Sequence, residues 1–346
     1  MTFLLHRWYA AAWNDEILAG EPLYRRILGH AVMLLRDADD TVTALPNRCP
    51  HRFAPFDRGV VKDGTIQCGY HGLEFDYAGR CIFNPHGDGK IAPNAHLKPW
   101  PLAERFGMQW IWMGDPALAD PSLIPDYGNV FNPELKTIRR YLHTESNYEL
   151  VADNLLDLGH TAYLHGSSLG SRAIIQSERK VKRIGDDVVY ELDAPGGEAP
   201  PLFQEVMPWY RNAKVDHWMT SIWRAPGQIQ QQIAFATAGA NRENADILEG
   251  LHLLTPETEK STHYFTALSR AFRKDDETVD RTLYEGGKKA FTEEDFPMVE
   301  AIQREIGDRD FWEMRPLILS VDAGAVMARR ILKRKLDEER GATEAA

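Results

Sequence analysis

The chain has 346 residues, enough for two domains with their own cores, and its 43% apolar and 26% charged content is that of a globular protein. Forty lysines and arginines against 51 aspartates and glutamates give a net charge of −11, which argues against a nucleic-acid partner. No apolar run approaches the ~18 residues of a membrane span, so no membrane role is expected. The opening stretch Met1 to Trp13, short and holding His6 and Arg7, does not read as a secretory leader.

From Phe3 to about Pro116, short apolar runs broken by turn residues, among them HRWYAAAW, AVMLLRD and MQWIWMGDP, predict a small all-β domain over residues 1–116. Inside it stand Cys49-Pro50-His51 and Cys68-Gly69-Tyr70-His71, with 16 residues between the two groups. Two thiolates and two imidazoles can hold a zinc ion or a Rieske [2Fe–2S] cluster, with two Cys on one iron and two His on the other. A zinc finger usually opens with its two Cys and closes with its two His. Here each half supplies one of each, the order a Rieske cluster needs. Pro50 and Gly69 fit tight loops and Gly72 permits close backbone approach, so main-chain N–H groups can face the sulfurs. The chain has three cysteines, and Cys81 is left without a partner. That excludes a disulfide framework and makes a reducing cytoplasm the expected location.

Pro116, Pro121 and Pro125 forbid a long helix and mark the boundary to a second domain, residues 117–346. The stretch from Asn147 to Ser171 predicts a helix, with Leu150, Leu155, Leu156 and Leu158 among its polar residues. Asn154, Asp157 and His160 follow at intervals of three along one broad side. His160 and His165 are five apart, about 140° on a straight helix, so they can share a metal only if the helix bends, and Gly159 offers a place for that. Two His with a carboxylate form the facial triad that binds Fe(II) and leaves positions for O2 and substrate. Between Ser177 and Phe272 the pattern returns to strands, an antiparallel sheet on which Gln230, Gln231, Gln232, His252 and His263 are candidates to line a pocket. Alternation turns some of these to solvent. A helical segment from about Glu277 to Ile306 and a final helix from about Asp322 to Arg340 close the chain. The basic run Arg329, Arg330, Lys333, Arg334, Lys335 reads as a solvated face. Spacing alone does not choose a third iron ligand among Glu293, Glu294, Asp295 and Asp322.

The segments CPHRFAP, CGYHGLEFD, NPHG, WMGDPALADP, DNLLDLGH and LLTPETE resemble the Rieske non-haem iron oxygenases, in particular their O-demethylase branch, and the resemblance covers essentially the whole chain. It implies an α+β protein in which an N-terminal all-β Rieske domain precedes a helix-grip-like catalytic domain. It also implies a [2Fe–2S] cluster on Cys49, His51, Cys68 and His71, and mononuclear Fe(II) on His160, His165 and a carboxylate of a late helix. Asp295 occupies that place, with Glu294 next. The same resemblance implies a homotrimer in which the cluster of one subunit faces the iron of its neighbour across Asp157. Asn154 lies close to the iron in this reading, and whether it ligates is left open. His252 matches a substrate contact suited to a carboxylate or phenolate, and Gly286-Gly287 stands where a relative has a bulky aromatic. The implied activity is oxidative demethylation of an aryl methyl ether with release of formaldehyde, NAD(P)H serving through a separate reductase with or without a ferredoxin. Attack at an N-methyl, ring methyl or ring position is the alternative. A Rieske electron carrier is the competing class, and such a carrier has no use for a second metal site.

Overall fold

The computed structural model describes residues 2–344. The described residues form two compact units, one of Leu5–Pro125 with Thr255–Thr258, the other of residues 2–4, Asp126–Leu254 and residues 259–344. The division falls later than Pro116 because the proline-rich crossing stays with the first unit. There Trp8 Nε1 donates to the Asp120 carbonyl (2.8 Å) and Arg105 Nη1 to that of Ile124 (2.9 Å).

The first unit is all β: β1 (Trp8–Trp13), β2 (Leu23–Ile27), β3 (His30–Arg36), β4 (Val42–Pro46), β5 (Val60–Lys62), β6 (Thr65–Gln67), β7 (Glu74–Asp76), β8 (Cys81–Phe83), β9 (Leu102–Arg105) and β10 (Met108–Trp112). They make three sheets, ordered β1-β10-β9, β2-β3-β4 and β5-β6-β7-β8, with antiparallel pairing. Asp63 and Gly64, both at positive φ, supply the tight turn joining β5 to β6. The two Cys-His loops are built alike. Cys49 N–H donates to the Ala54 carbonyl and Cys49 O accepts from Phe53 N–H; Cys68 N–H donates to the Leu73 carbonyl and Cys68 O accepts from Gly72 N–H. Asn47 Oδ1 ties the first loop down by accepting from Phe56 N–H (2.7 Å) and Asp57 N–H (3.1 Å). At Gly59 and Gly69 the two backbones pass so closely that a Cβ on Gly69 would lie 2.1 Å from the Arg58 carbonyl oxygen.

The second unit holds β11 (Lys136–Thr144), α1 (Tyr148–Leu156), α2 (Thr161–Leu164), β12 (Glu178–Ile184), β13 (Asp187–Gly197), α3 (Pro201–Val206), β14 (Val215–Arg224), β15 (Gln228–Thr237), β16 (Asp246–Thr258), β17 (Ser261–Arg270), α4 (Glu277–Lys289), α5 (Phe296–Ile306) and α6 (Ala323–Glu344). Its strands form one seven-stranded antiparallel sheet, β11-β17-β16-β15-β14-β13-β12. The α+β class and the expected order, β domain first and large antiparallel sheet second, are borne out.

Two of the apolar clusters on the sheet pack helices against it. Leu155 and Leu156 of α1, Phe296 and Val299 of α5 and Ile331 and Leu332 of α6 pack with the sheet residues Trp223, Ile229 and Tyr264. Phe203 and Val206 of α3 and Val279 and Leu283 of α4 pack with Ile138, Ile233, Phe235 and Leu248. The basic run of α6 is only partly a solvated face. Arg329 is 9% exposed, reaches Glu149 (2.9 Å) and Asp153 (2.7 Å) of α1, and lies over Phe311. Breaking a buried ion network by removing one partner costs about 3–5 kcal/mol. Arg329→Met should therefore lower the thermal midpoint markedly while leaving the cluster's visible spectrum unchanged, since the cluster loops belong to the other unit. The opposite pattern is expected of Gly69→Ala: little change in the second unit, but fewer acid-labile sulfides per chain, because its Cβ displaces the loop that carries Cys68 and His71.

Candidate active site

The first site lies on the paired loops. Cys49 and Cys68 are each 1% exposed. Burial pushes the Cys49 thiol up to about 11, against the pull of the His51 and Arg52 N–H groups aimed at its sulfur, with Cys68 alongside raising it further. A thiolate there calls for a cation, and the N–H groups suit a sulfur that carries charge. The rings of His51, exposed, and His71, half-buried, meet edge-on at 4.5 Å between centroids. Buried sulfurs and outward imidazoles fit a cluster whose histidine side faces the surface. Around His71 stand Tyr70, whose ring is 3.9 Å away, and His86, whose Nε2 is 2.8 Å from the His71 carbonyl.

The second site begins where a helix fails. In place of the one helix expected from Asn147 to Ser171, α1 ends at Leu156 and Asp157 takes extended torsions (φ −102°, ψ 94°), two residues before Gly159. His160 then caps the short α2 and His165 ends it. The break supplies the bend that brings the two imidazoles together, with His160 Nε2 and His165 Nε2 3.2 Å apart. Asp295 comes from a π-helical segment, Ala290–Asp295, inserted between α4 and α5. The wider turn of a π segment shifts a side chain off the regular helical spacing. Asp295 Oδ1 stands 3.1 Å from His165 Nε2 and 3.4 Å from His160 Nε2. Among the described residues these three offer ligand atoms all within 4.8 Å of one another. Burial raises the Asp295 carboxyl, but the His160 and His165 contacts outweigh it and hold the group down at about 2.

A second ring of groups orients the first. Glu294 Oε2 is 2.6 Å from His165 Nδ1 and accepts from Ser168 Oγ at 2.6 Å, so it serves the far side of that imidazole and not the convergence point. Asn154 Nδ2 donates to Asp295 Oδ1 at 3.0 Å. Asp157 meets His160 Nδ1 through its main-chain carbonyl and not through its carboxylate. The carboxylate accepts from Gly159 N–H at 2.7 Å.

The triad borders a cavity lined by Leu155, Phe203, Met219, Ile233 and Phe291, with Asn154, Thr161, His217, Gln231 and His252 as its other polar residues. Of the strand candidates, Gln231 and His252 face it. Gln230 and Gln232 alternate to the opposite side, onto Asn129 and Glu249, and His263 pairs with Tyr141. His252 Nδ1 lies 2.5 Å from the Tyr264 hydroxyl. Burial, then Arg140, pushes it down to about 4, leaving a neutral imidazole for the carboxylate or phenolate expected of it. Gly286 and Gly287 do not line the cavity; a Cβ on them would strike Leu202 and Arg140. His217 escaped the sequence reading because a lone His in a buried strand carries no motif. The signal that would have found it is its period-two spacing with Met219 and Ser221 on one face.

Residues 7–100 match the model of the Rieske [2Fe-2S] domain, and residues 144–338 that of the vanillate O-demethylase oxygenase C-terminal domain. The chain is 41% identical over 341 residues to the chloroacetanilide N-alkylformylase oxygenase component of Rhizorhabdus wittichii, covering 97% of both chains. It is 40% identical over 334 residues to the dicamba O-demethylase oxygenase component of Stenotrophomonas maltophilia, covering 96% of this chain and 98% of that one. The crystal structure of dicamba monooxygenase bound to dicamba superposes with a TM-score of 0.90 at 38% identity, over 99% of this chain and 100% of that one. The resemblance read from the motifs is thereby borne out: this chain belongs to the Rieske oxygenases of the vanillate O-demethylase family and is an oxygenase component with an N-terminal [2Fe–2S] domain.

Proposed function

We propose that the chain oxidatively removes an alkyl group from a heteroatom on an aromatic substrate, first of all by O-demethylation of an aryl methyl ether. The observation that carries this reading is the convergence of His160, His165 and Asp295 on one point in a buried cavity of a chain that also holds a Rieske domain. In this reading Cys49, His51, Cys68 and His71 hold the cluster, and His160, His165 and Asp295 hold Fe(II). Asp295 is preferred over Glu294, whose oxygen sits at the wrong nitrogen of His165.

Cluster and iron together supply one-electron transfers and the activation of O2 against a C–H bond. The remaining work belongs to the protein. Glu294 and the Asp157 carbonyl accept from the Nδ1–H groups of His165 and His160, which leaves both Nε2 lone pairs directed at the metal. Asn154 fixes the ligating oxygen of Asp295. Phe203, Met219, Ile233 and Phe291 keep water from the reacting carbon. In balance, the methyl ether, O2, two electrons and two protons give a hemiacetal and water, and the hemiacetal collapses to a phenol and formaldehyde.

The electrons come from NAD(P)H through a separate reductase, with or without a ferredoxin; the relatives' description as oxygenase components supports this. The working assembly is a homotrimer in which the Asp157 carboxylate meets a cluster histidine of the neighbouring subunit. Supporting this, Leu317 and Leu319 expose 85% and 56% of their surface just before Val321, which packs on Gly159 beside Asp157. N-dealkylation of an anilide is the second reading. Its support is the similarity to the chloroacetanilide enzyme together with a cavity that no lysine or arginine lines among the described residues.

Total iron and acid-labile sulfide, with EPR of the reduced protein, test the two-site arrangement. Three irons and two sulfides per chain are expected, falling to two irons in His160→Ala with the Rieske signal kept; two irons in both proteins would leave an electron carrier. The same preparation, supplied with a reductase, should release formaldehyde from aryl methyl ethers. Asp157→Ala should retain all its iron yet slow reoxidation of the reduced cluster by O2 and substrate about 10–100-fold. Wild-type rates at full iron content would remove Asp157 from the electron path.

A further inference from the structure

Beside the triad, two buried side chains hold each other in a pair whose protons are fixed by what each group can reach. His252, on β16, is 7% exposed and lines the cavity, and Tyr264, on the adjoining β17, is fully buried behind it. Phe291 of the π segment lies edge-on to both rings, at 6.0 Å and 5.1 Å between centroids. The Tyr264 hydroxyl meets His252 Nδ1 at 2.5 Å, and among the described residues it makes no other hydrogen bond. The opposite nitrogen, Nε2, has no partner among the described residues. Unlike the two nitrogens of His217, it keeps accessible surface, in a residue that lines the cavity.

One hydroxyl and one imidazole nitrogen can pair in two ways. If Nδ1–H donates to the hydroxyl oxygen, the Tyr264 proton needs a second acceptor. Arg140, whose charge both groups feel, is committed to the carbonyls of Leu283 and Tyr284 and carries donors alone. Asp295 acts on the hydroxyl through its charge and not through a hydrogen bond. That pairing therefore leaves a buried donor unsatisfied, which lowers stability. If the hydroxyl donates to Nδ1, both groups are satisfied. Burial, with Asp295, holds the Tyr264 hydroxyl well above its ordinary pKa, so it keeps a proton to donate. Burial and Arg140 push the imidazole down to about 4, so it is neutral and its one N–H then stands at Nε2.

We propose that Tyr264 is a positioning residue for substrate recognition: by donating to Nδ1 it fixes His252 as the Nε2–H tautomer and directs that single N–H at an acceptor oxygen of the substrate, such as a carboxylate or phenolate. Tyr264 does not line the cavity, so it acts through His252 alone. The inference rests on the reading in which His252 contacts the substrate and supplies what makes it a donor there. Without the hydroxyl, the two ring nitrogens compete for one proton and the ring loses its anchor.

Neutron diffraction from deuterium-exchanged crystals of the cluster- and iron-loaded oxygenase reads the protons directly. Deuterium on His252 Nε2, with the Tyr264 deuteron aimed at Nδ1, is expected; deuterium on Nδ1 would overturn the proposal. The map is read on wild type, so it decides even where a variant fails to fold. Isothermal titration of the loaded protein with 2-methoxybenzoate and with 2-methoxytoluene, which lacks the acceptor, tests the consequence. Wild type should favour the benzoate at least about tenfold. Tyr264→Phe, at unchanged iron and sulfide content, should lose about threefold to tenfold on the benzoate and little on the methoxytoluene. His252→Ala should lose the contact outright, and Tyr264→Phe added to it should lose nothing more, since no donor is left to position. A packing defect would instead add to His252→Ala and weaken both ligands alike. That outcome, or a wild type without preference for the benzoate, would overturn the proposal. Formaldehyde release is measured separately with a reductase: none from any aryl ether or N-alkyl anilide would refute the dealkylation reading and leave the pairing of Tyr264 with His252 standing.

Discussion

The second unit is organised around one constraint, a carboxylate that must stay ionised where water hardly reaches. Asp295 is 3% exposed, and burial works against its charged form. Two imidazoles and an asparagine amide hold it charged instead, all three from the one stretch Asn154–His165, more than a hundred residues earlier in the chain. The break at Asp157, the short α2 and the π segment before α5 are departures from regular helix that put those groups within reach. Each gives up regular hydrogen bonding for position, which is where helix irregularities concentrate in functional proteins. The long, regular α6 and the seven-stranded sheet supply the rigidity that these departures lack.

The first unit meets the same problem with sulfur and solves it with repetition. Each Cys closes its loop by the same pair of main-chain bonds, and the two loops pass backbone against backbone at Gly59 and Gly69. The sulfurs end up buried and the histidines outward, an arrangement suited to passing electrons at a surface while shielding the sulfur side.

Burial also separates the roles of the many histidines. His160 and His165 face a carboxylate. Burial pushes His252 and His217 down to about 4, so both stay uncharged, and His252 pairs with the Tyr264 hydroxyl.

Cys49, His51, Cys68 and His71 read from the sequence as a candidate Rieske site because all four lie on two short local loops whose mixed order is not that of the usual zinc finger. The β-rich first domain, the strand pattern of the second and the family followed from periodicity and from motifs that are contiguous in the chain. His160 and His165 could meet only with a bend between them, and the sequence suggested Gly159 where the structure breaks the helix at Asp157. Nothing local distinguishes Asp295 from Glu294: the two are neighbours, and the π turn alone decides which oxygen meets the Nε2 atoms and which meets Nδ1. His217 and the committed Arg140 were invisible for the same reason. By itself the sequence determined what forms through contacts a few residues apart, namely the loops, the strands and the resemblance they carry. Tertiary structure decided which side chains converge across more than a hundred residues of chain, because burial and pairing depend on neighbours that only the packed sheet and its helices bring together.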